Sequence, residues 1–309
     1  MCGIAGFISP EKNDLSIDRG ALLGRMCEVI AHRGPDDQGT VVMGRAALGM
    51  RRLAIIDLVT GHQPMFSDDK RYAIVFNGEI YNYRELKADL ESRGYQFRTN
   101  SDTETILHAF EAYGVDCVQR LRGMFAFAIW DSVQEVLVLA RDRVGKKPLF
   151  YSLLPDGTFV FGSEIKSVLL HPDVRREIDT KALDSYLTFG YVPESQCIFS
   201  GISKVQPGCF LRFSTGKIAE DRYWSFPLSH DSGASSDQMV TELRETLEEA
   251  VRIRMISDVP LGAFLSGGID SSAVVGLMSK ISPEPVKTFS IGFNEDTFSE
   301  LKYARIAAD

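Results

Sequence analysis

MCGIAGF, at residues 1–7, places a cysteine directly behind the initiator methionine. A small residue at position 2 normally permits removal of Met1, which would leave Cys2 as the free N-terminus. Its thiol and its α-amino group would then belong to one residue. An unperturbed α-amino group has a pKa of about 8, so much of it is neutral near physiological pH. It can take the thiol proton, directly or through a water, and later return a proton to a leaving group. No separate histidine is needed, which suits a chain with 5 of them and no recognisable triad. Taken alone, Cys2 reads as a small residue near a strand start.

Four further stretches change that balance. They are HRGPDD (32–37), RRLAIID (51–57), FNGEIYN (76–82) and SDTE (101–104). Together with MCGIAGF they resemble the N-terminal-nucleophile glutaminase domain of class II amidotransferases, over about residues 2–215. The resemblance implies an α+β domain with the four-layer αββα N-terminal-nucleophile hydrolase fold, and Cys2 as the nucleophile.

Roles follow from the resemblance. Acyl transfer from glutamine passes through a tetrahedral oxyanion that needs preorganised donors, and the matching residues are Asn77 and Gly78. An Asn-Gly pair on its own reads as a type I′ hairpin turn, and both readings can hold together. Arg52 matches the residue whose guanidinium fork takes the glutamine carboxylate, with Leu53 and Ile55 adding backbone contacts. Glu79 and Asp102 match the residues that take the ammonium, although an acid in the first turn of a helix is favoured anyway. His32 and Arg33 read as braces for the loop near Cys2, and Arg51 as a surface or structural residue.

The periodicity agrees with layered α+β packing. Apolar runs at 71–77, 124–131, 135–140, 148–154 and 158–163 read as strands. Leu22, Leu23, Met26, Val29 and Ile30 follow helical spacing behind an Asp18 N-cap. A second helix opens at Ser101 with a capping box to Glu104, burying Ile106, Leu107 and Phe110. Residues 210–213 and 218–224 form a hairpin turning at 214–217, and the Ser/Gly/Asp-rich 230–237 reads as a linker. An amphipathic helix follows, with Val240, Leu243, Leu247, Ala250, Val251 and Arg254 on one stripe. Then come a strand (260–265), a helix (270–280), a strand (286–292) and a helix from 299. A parallel α/β domain needs several such units to cover its sheet, so 239–309 reads as the start of a second domain, cut short, with 216–238 as hairpin end and linker.

SGGIDSS, at 266–272, sits between strand and helix. Amides and hydroxyls at a helix N-terminus form an anion site, and the lysine of a Walker A loop is absent. The motif resembles the pyrophosphate loop of ATP pyrophosphatases; two glycines alone would read as a capped turn. The resemblance implies ATP binding by Leu265, Ser266, Gly267, Gly268, Asp270, Ser271, Ser272 and Ile291, with Asp270 helping to hold Mg2+ on the phosphates.

The pairing of the two motif sets resembles the asparagine synthetase family. FGYVPE (189–194) and HRGPDD look most like bacterial members, including those tied to exosortase and exopolysaccharide clusters. The implied function is glutamine hydrolysis coupled to ATP-dependent amidation of a carboxylate, aspartate by default. A stand-alone glutaminase, or amidation of a different acceptor, is the alternative reading; a glutamine sensor would not need the nucleophile. A homodimer would be ordinary for the family.

The bulk properties agree. The 309 residues suit two domains, and no apolar run approaches the roughly 18 needed to span a membrane. A net charge of −8 without a basic block argues against a nucleic-acid partner. Five cysteines without zinc-like spacing argue against disulfides or a structural metal and for the cytoplasm.

Overall fold

The computed structural model describes residues 2–10, 18–227, 233–295, 297 and 299–309. Two compact units divide it, Met1–Phe226 and Pro227–Asp309.

The first unit runs β1 (Gly3–Ile8), α1 (Arg19–Glu28), β2 (Asp37–Met43), β3 (Ala46–Arg52), β4 (Met65–Phe66), β5 (Tyr72–Ile80), α2 (Tyr83–Ser92) and α3 (Asp102–Tyr113). It continues through β6 (Gly123–Asp131), β7 (Val136–Arg141), β8 (Phe150–Leu153), β9 (Phe159–Gly162), α4 (Ile165–Val168), α5 (Thr180–Phe189), β10 (Ser203–Lys204), β11 (Cys209–Ser214) and β12 (Lys217–Arg222). These strands make two six-stranded sheets, β10-β8-β9-β1-β3-β2 and β12-β11-β7-β6-β5-β4, antiparallel throughout.

The layering follows from the two-residue alternation of strands. In β1, Ile4 and Ile8 face a core shared with Ala46, Leu48 and Met50 of β3 and with Ala73, Val75, Ala126, Ala128 and Trp130 of the other sheet. Ala5 and Phe7 face the opposite way, onto Leu22, Leu23, Met26 and Cys27 of α1. Gly6 admits the ring of Phe161, whose nearest atom would lie 2.5 Å from an added Cβ. Helices α2 and α3 pack together, and α3 lies on β5 of the second sheet. The order is therefore helix, sheet, sheet, helix.

Several local expectations need correction. The capping box at α3 does not form. Ser101 caps Thr103 N–H at 3.2 Å, but Glu104 turns away to accept from the N–H groups of Arg98 (2.9 Å) and Thr99 (2.8 Å). Phe110 is half-buried rather than buried. The second hairpin strand ends at Arg222, because the N–H groups of Tyr223 and Trp224 both donate to the Gly208 carbonyl. The two central turn residues, Thr215 (φ 49°) and Gly216 (φ 74°), are both left-handed, as a two-residue turn joining twisted strands requires. Of the expected linker, residues 230–232 lie outside the described residues, and its end is helical: Ser235 forms a capping box with Gln238.

The second unit contains α6 (Ser236–Arg254), β13 (Gly262–Phe264), α7 (Ile269–Ile281), β14 (Lys287–Phe289) and α8 (Leu301–Ala308), with β13 and β14 parallel. Its small core joins Leu265, Val275 and Ala304. Along the α6 stripe Val251 is buried, whereas Val240 (55%) and Leu243 (67%) are exposed.

Candidate active site

The polar end of the layer between the two sheets is where the site lies. Cys2 extends the inward series of Ile4 and Ile8, Arg52 that of Leu48 and Met50, and Asn77 and Glu79 that of Ala73 and Val75. Where the apolar series gives way to these residues a cavity of about 210 Å³ opens, lined by Cys2, Arg52, Leu53, Ile55, Asn77, Gly78, Glu79 and Asp102. That is below the roughly 300–1,000 Å³ of drug-sized sites and suits an amino acid. All eight residues singled out in the sequence for the first domain thus meet in one place.

The Cys2 sulfur is held against the backbone of Leu53. The Leu53 N–H donates to Sγ at 3.4 Å, and Sγ lies 3.5 Å from the Leu53 carbonyl. Burial pushes the thiol above its ordinary pKa, against the pull of the Leu53 N–H and the Arg52 charge, while Asp102 adds to the rise. Arg33 Nε donates to the Cys2 carbonyl at 2.8 Å and its Nη1 to Glu164 at 3.0 Å, where His32 also binds. Gly3 leaves room for that arginine, whose Cδ would stand 3.1 Å from an added Cβ. Arg51 faces away, donating to the Gly34 carbonyl. Met1 lies outside the described residues.

Asn77 and Gly78 are not at a turn. They pair with Ala126 and Phe125 in the middle of the β5–β6 ladder. The Phe76 N–H donates to Gln63 Oε1 at 2.7 Å and the Ile80 N–H to Asp102 Oδ2 at 3.0 Å, both on the edge away from β6. By strand period the Gly78 N–H leaves on that same edge, at the cavity. An added Cβ would lie 2.1 Å from the Met124 carbonyl, so glycine is required. The Asn77 side chain is 0% exposed, and both its Oδ1 and Nδ2 lack a partner among the described residues. Buried amides are almost always satisfied, so an unsatisfied one on a cavity wall is a donor held ready.

Arg52 Nη2 donates to the carbonyls of Ile56 (3.0 Å) and Asp57 (2.6 Å), which holds the guanidinium at the cavity wall. In the same cavity, burial pushes the Asp102 carboxyl up to about 7, opposed by the Ile80 N–H and reinforced by Glu79. Burial also raises Glu79, with Lys147 acting against it. The cavity thus gathers two cationic side chains, Arg52 and Lys147, two raised carboxyls and the thiol.

Sequence reasoning missed Gln63, Thr103, Met124 and Lys147, which line the same cavity. Gln63 Nε2 donates to Thr103 Oγ1 at 3.0 Å, tying the β5 edge to α3. Met124 follows the inward period of Ala126, a signal readable once β6 is placed.

In the second unit, Leu265, Ser266 and Ile291 line a cavity of about 310 Å³, with Phe289 and Glu300. Gly267, Gly268, Asp270, Ser271 and Ser272 form the adjoining loop and helix start and are not part of its lining. Gly267 is left-handed (φ 83°) and packs against the backbone of Tyr303 and Ala304, 2.3–2.4 Å from an added Cβ. Gly268 caps α7 without a side-chain bond, leaving the first-turn N–H groups open to an anion. The hydroxyls of Ser266 and Ser271 stand 3.0 Å apart beside them. Among the described residues no three His, Cys, Asp or Glu side chains gather to hold a metal. The lone Asp270 carboxylate in the first turn fits only a Mg2+ that keeps phosphate oxygens as its other ligands.

Comparison with known proteins agrees with this geometry. The glutamine amidotransferase domain family matches residues 1–224, and the asparagine synthase family matches residues 242–309. Asparagine synthetase (glutamine-hydrolyzing) 1 of Bacillus subtilis strain 168 is 41% identical over 100% of this chain and 48% of its own length. Asparagine synthetase (glutamine-hydrolyzing) 3 of the same organism is 38% identical over 96% of this chain and 49% of its own. The chain therefore spans about half the length of these relatives. Among solved structures, glutamine phosphoribosylpyrophosphate amidotransferase from B. subtilis, complexed with ADP and GMP, aligns with a TM-score of 0.52 at 18% identity, covering 96% of this chain and 68% of that one. The allosteric regulatory enzyme of purine biosynthesis gives 0.53 at 19% identity, covering 96% and 67%. At those identities the likeness is one of fold. On the match over residues 1–224, which carries every residue of the Cys2 cavity, the chain belongs to the glutamine amidotransferase domain family, followed by an asparagine synthase segment.

Proposed function

We propose that the first unit hydrolyses glutamine to glutamate and ammonia and that the second takes part in ATP-dependent amidation of a carboxylate. The observation that carries the reading is Asn77: a fully buried amide with no partner among the described residues, on the same cavity wall as the Gly78 amide and facing the Cys2 space.

Arg52 binds the glutamine α-carboxylate, and Glu79 and Asp102 bind the α-ammonium. Leu53 and Ile55 hold the substrate from the backbone, which brings the side-chain amide to Cys2. The α-amino nitrogen of a processed Cys2 takes the thiol proton, and sulfur attacks the amide carbon. The oxyanion is received by Asn77 Nδ2 and the Gly78 N–H. The C–N bond breaks, the protonated amine returns its proton to the departing ammonia, and water then hydrolyses the thioester to glutamate.

In the second unit, the first-turn amides of α7, Gly267, Gly268, Ser266, Ser271 and Ser272 would hold ATP phosphates, Leu265 and Ile291 the nucleoside, and Asp270 the Mg2+. ATP supplies the adenylyl group that makes the carboxylate reactive toward ammonia, with AMP and pyrophosphate as products. Aspartate is the default acceptor, and the FGYVPE segment keeps a different acceptor in view. A homodimer in the cytoplasm completes the reading, and no helix among the described residues is long and apolar enough to cross a membrane.

The test is release of ammonia and glutamate from glutamine, with and without ATP, beside Cys2→Ala. Release that disappears in the variant establishes the hydrolase half. Release that persists sinks Cys2 as nucleophile. Stimulation by ATP and an acceptor separates a coupled synthetase from a stand-alone glutaminase.

A further inference from the structure

One charged side chain in the cavity has no place in the scheme above. Lys147 is 3% exposed and lines the cavity with Cys2 and Glu79. Among the described residues its Nζ has no hydrogen-bond or ion-pair partner. Burying a lysine is costly, so something must hold it in place.

The holding is done through its backbone. The Asp142 carboxylate accepts the N–H groups of Lys147 (2.9 Å), Lys146 (2.9 Å) and Phe125 (3.2 Å), which fixes the loop to β6. Arg141 Nε donates to the Lys147 carbonyl at 2.7 Å, and Arg141 Nη2 to that of Gly145 at 2.9 Å. Arg141 in turn is anchored by the Val205 carbonyl and Glu194. Two buried charged residues are thus engaged in setting one lysine in the wall.

We propose that Lys147 is a positioning residue of the glutamine site whose ammonium acts across the cavity to stabilise the Cys2 thiolate and the ionised form of Glu79. The inference rests on the reading of Cys2 as the glutaminase nucleophile. Its charge adds to those of Arg52 and Arg33 and opposes those of Asp102 and Glu79, the other ionisable side chains that face the sulfur or its residue. Burial lowers the Lys147 pKa and Arg33 lowers it further, while Glu79, Cys2 and Asp142 raise it. Lys147 in turn opposes the rise of Glu79, and a cation lining the cavity of a cysteine favours the thiolate. Glutamine brings equal and opposite charges of its own, so the lysine alters the sulfur more than the overall charge of the complex.

The experiment is alkylation of Cys2 by iodoacetamide as a function of pH, followed by peptide mass spectrometry in the full chain. Wild type, Lys147→Met, Lys147→Gln and Lys147→Arg are compared, with glutamine hydrolysis measured on the same samples. The expected result is that both neutral variants raise the midpoint by about one pH unit and slow alkylation at pH 7 about tenfold, while the arginine variant stays within about twofold of wild type. Unchanged profiles in a folded neutral variant, with wild-type hydrolysis intact, overturn the role of Lys147 and leave the glutaminase reading standing. Wild type that neither hydrolyses glutamine nor alkylates at Cys2 overturns the glutaminase reading, and the inference with it. The glutamine variant alters volume less abruptly than methionine alters polarity, so one of the two serves if the other fails to fold.

Discussion

Arg52 and Asp57 are joined at 2.6 Å, guanidinium Nη2 to main-chain carbonyl, and the Asp57 carboxylate reaches on to the Asn100 N–H at 2.8 Å. One residue therefore couples Arg52 to the segment that presents Asp102. The same carboxylate accepts the N–H (2.8 Å) and hydroxyl (2.6 Å) of Thr60. Asp57→Ala should loosen Arg52 and Asp102 together. Steady-state kinetics should show KM for glutamine rising about tenfold, equivalent to about 1.4 kcal/mol of binding, with a smaller change in kcat. Asp57→Asn, which keeps an acceptor, should fall between.

Asn77→Ala should separate activity from stability. Loss of one oxyanion donor costs about 10²–10³ in kcat. Neither polar atom of Asn77 has a partner among the described residues, so no hydrogen bond is broken and no donor is orphaned. Thermal unfolding should stay within about 2 °C of wild type, and Cys2 should alkylate as before.

Asp102 gives stability an unusual pH slope. Its carboxyl is pushed up to about 7 by burial, from an ordinary value of 3.8. Between those values the folded chain holds more protons there than the unfolded chain, so this group's contribution falls as pH rises. Asp102→Asn should flatten that slope between about pH 4 and 7, read by denaturant unfolding across the range. In wild type, KM for glutamine should fall as pH rises through about 7, because the ammonium needs the ionised carboxylate.

His108 should act in the same direction, over a higher pH range. Burial pulls its pKa down, but Glu104 and Glu111 outweigh that and raise it to about 9. Its Nδ1 lies 2.6 Å from Glu111 Oε2. Burial likewise raises Glu104, yet His108, Thr99 and the Arg98 N–H bring it to about 2. The stabilisation from His108 is complete below its ordinary 6.5 and is lost as pH rises through about 9. His108→Gln should lower Tm at pH 7, and the deficit should shrink above about pH 9.

Much of the site was legible because its residues lie in short motifs that each mark one wall: Cys2, the Arg52 segment, Asn77-Gly78-Glu79 and Asp102. The strands were legible from apolar runs such as that of β6. What the sequence hid was pairing. Asn77-Gly78 has turn chemistry, yet the β5–β6 register carries it through as strand, because Gly78 fits under the Met124 carbonyl. Ser101 and Glu104 have capping-box spacing, but Glu104 finds stronger partners in two loop amides and His108. Lys147 and Gln63 gave no local signal. Each reaches the cavity through contacts distant in sequence, and no periodicity reports that a loop lysine has been aimed by Asp142 and Arg141.

The place of β1 in its sheet has a consequence for assembly. It pairs with β3 on one side, Ile8 beside Ala46, and with β9 on the other, Ile8 beside Phe159. β1 thus waits for a partner synthesised some 150 positions later. At about 5–20 residues per second that delay is roughly 8–30 s, and such distant pairings are slow to close even in a finished chain. The strand behind Cys2 is completed only once β9 has been made, so the Cys2 cavity should mature only after most of the first unit has been translated.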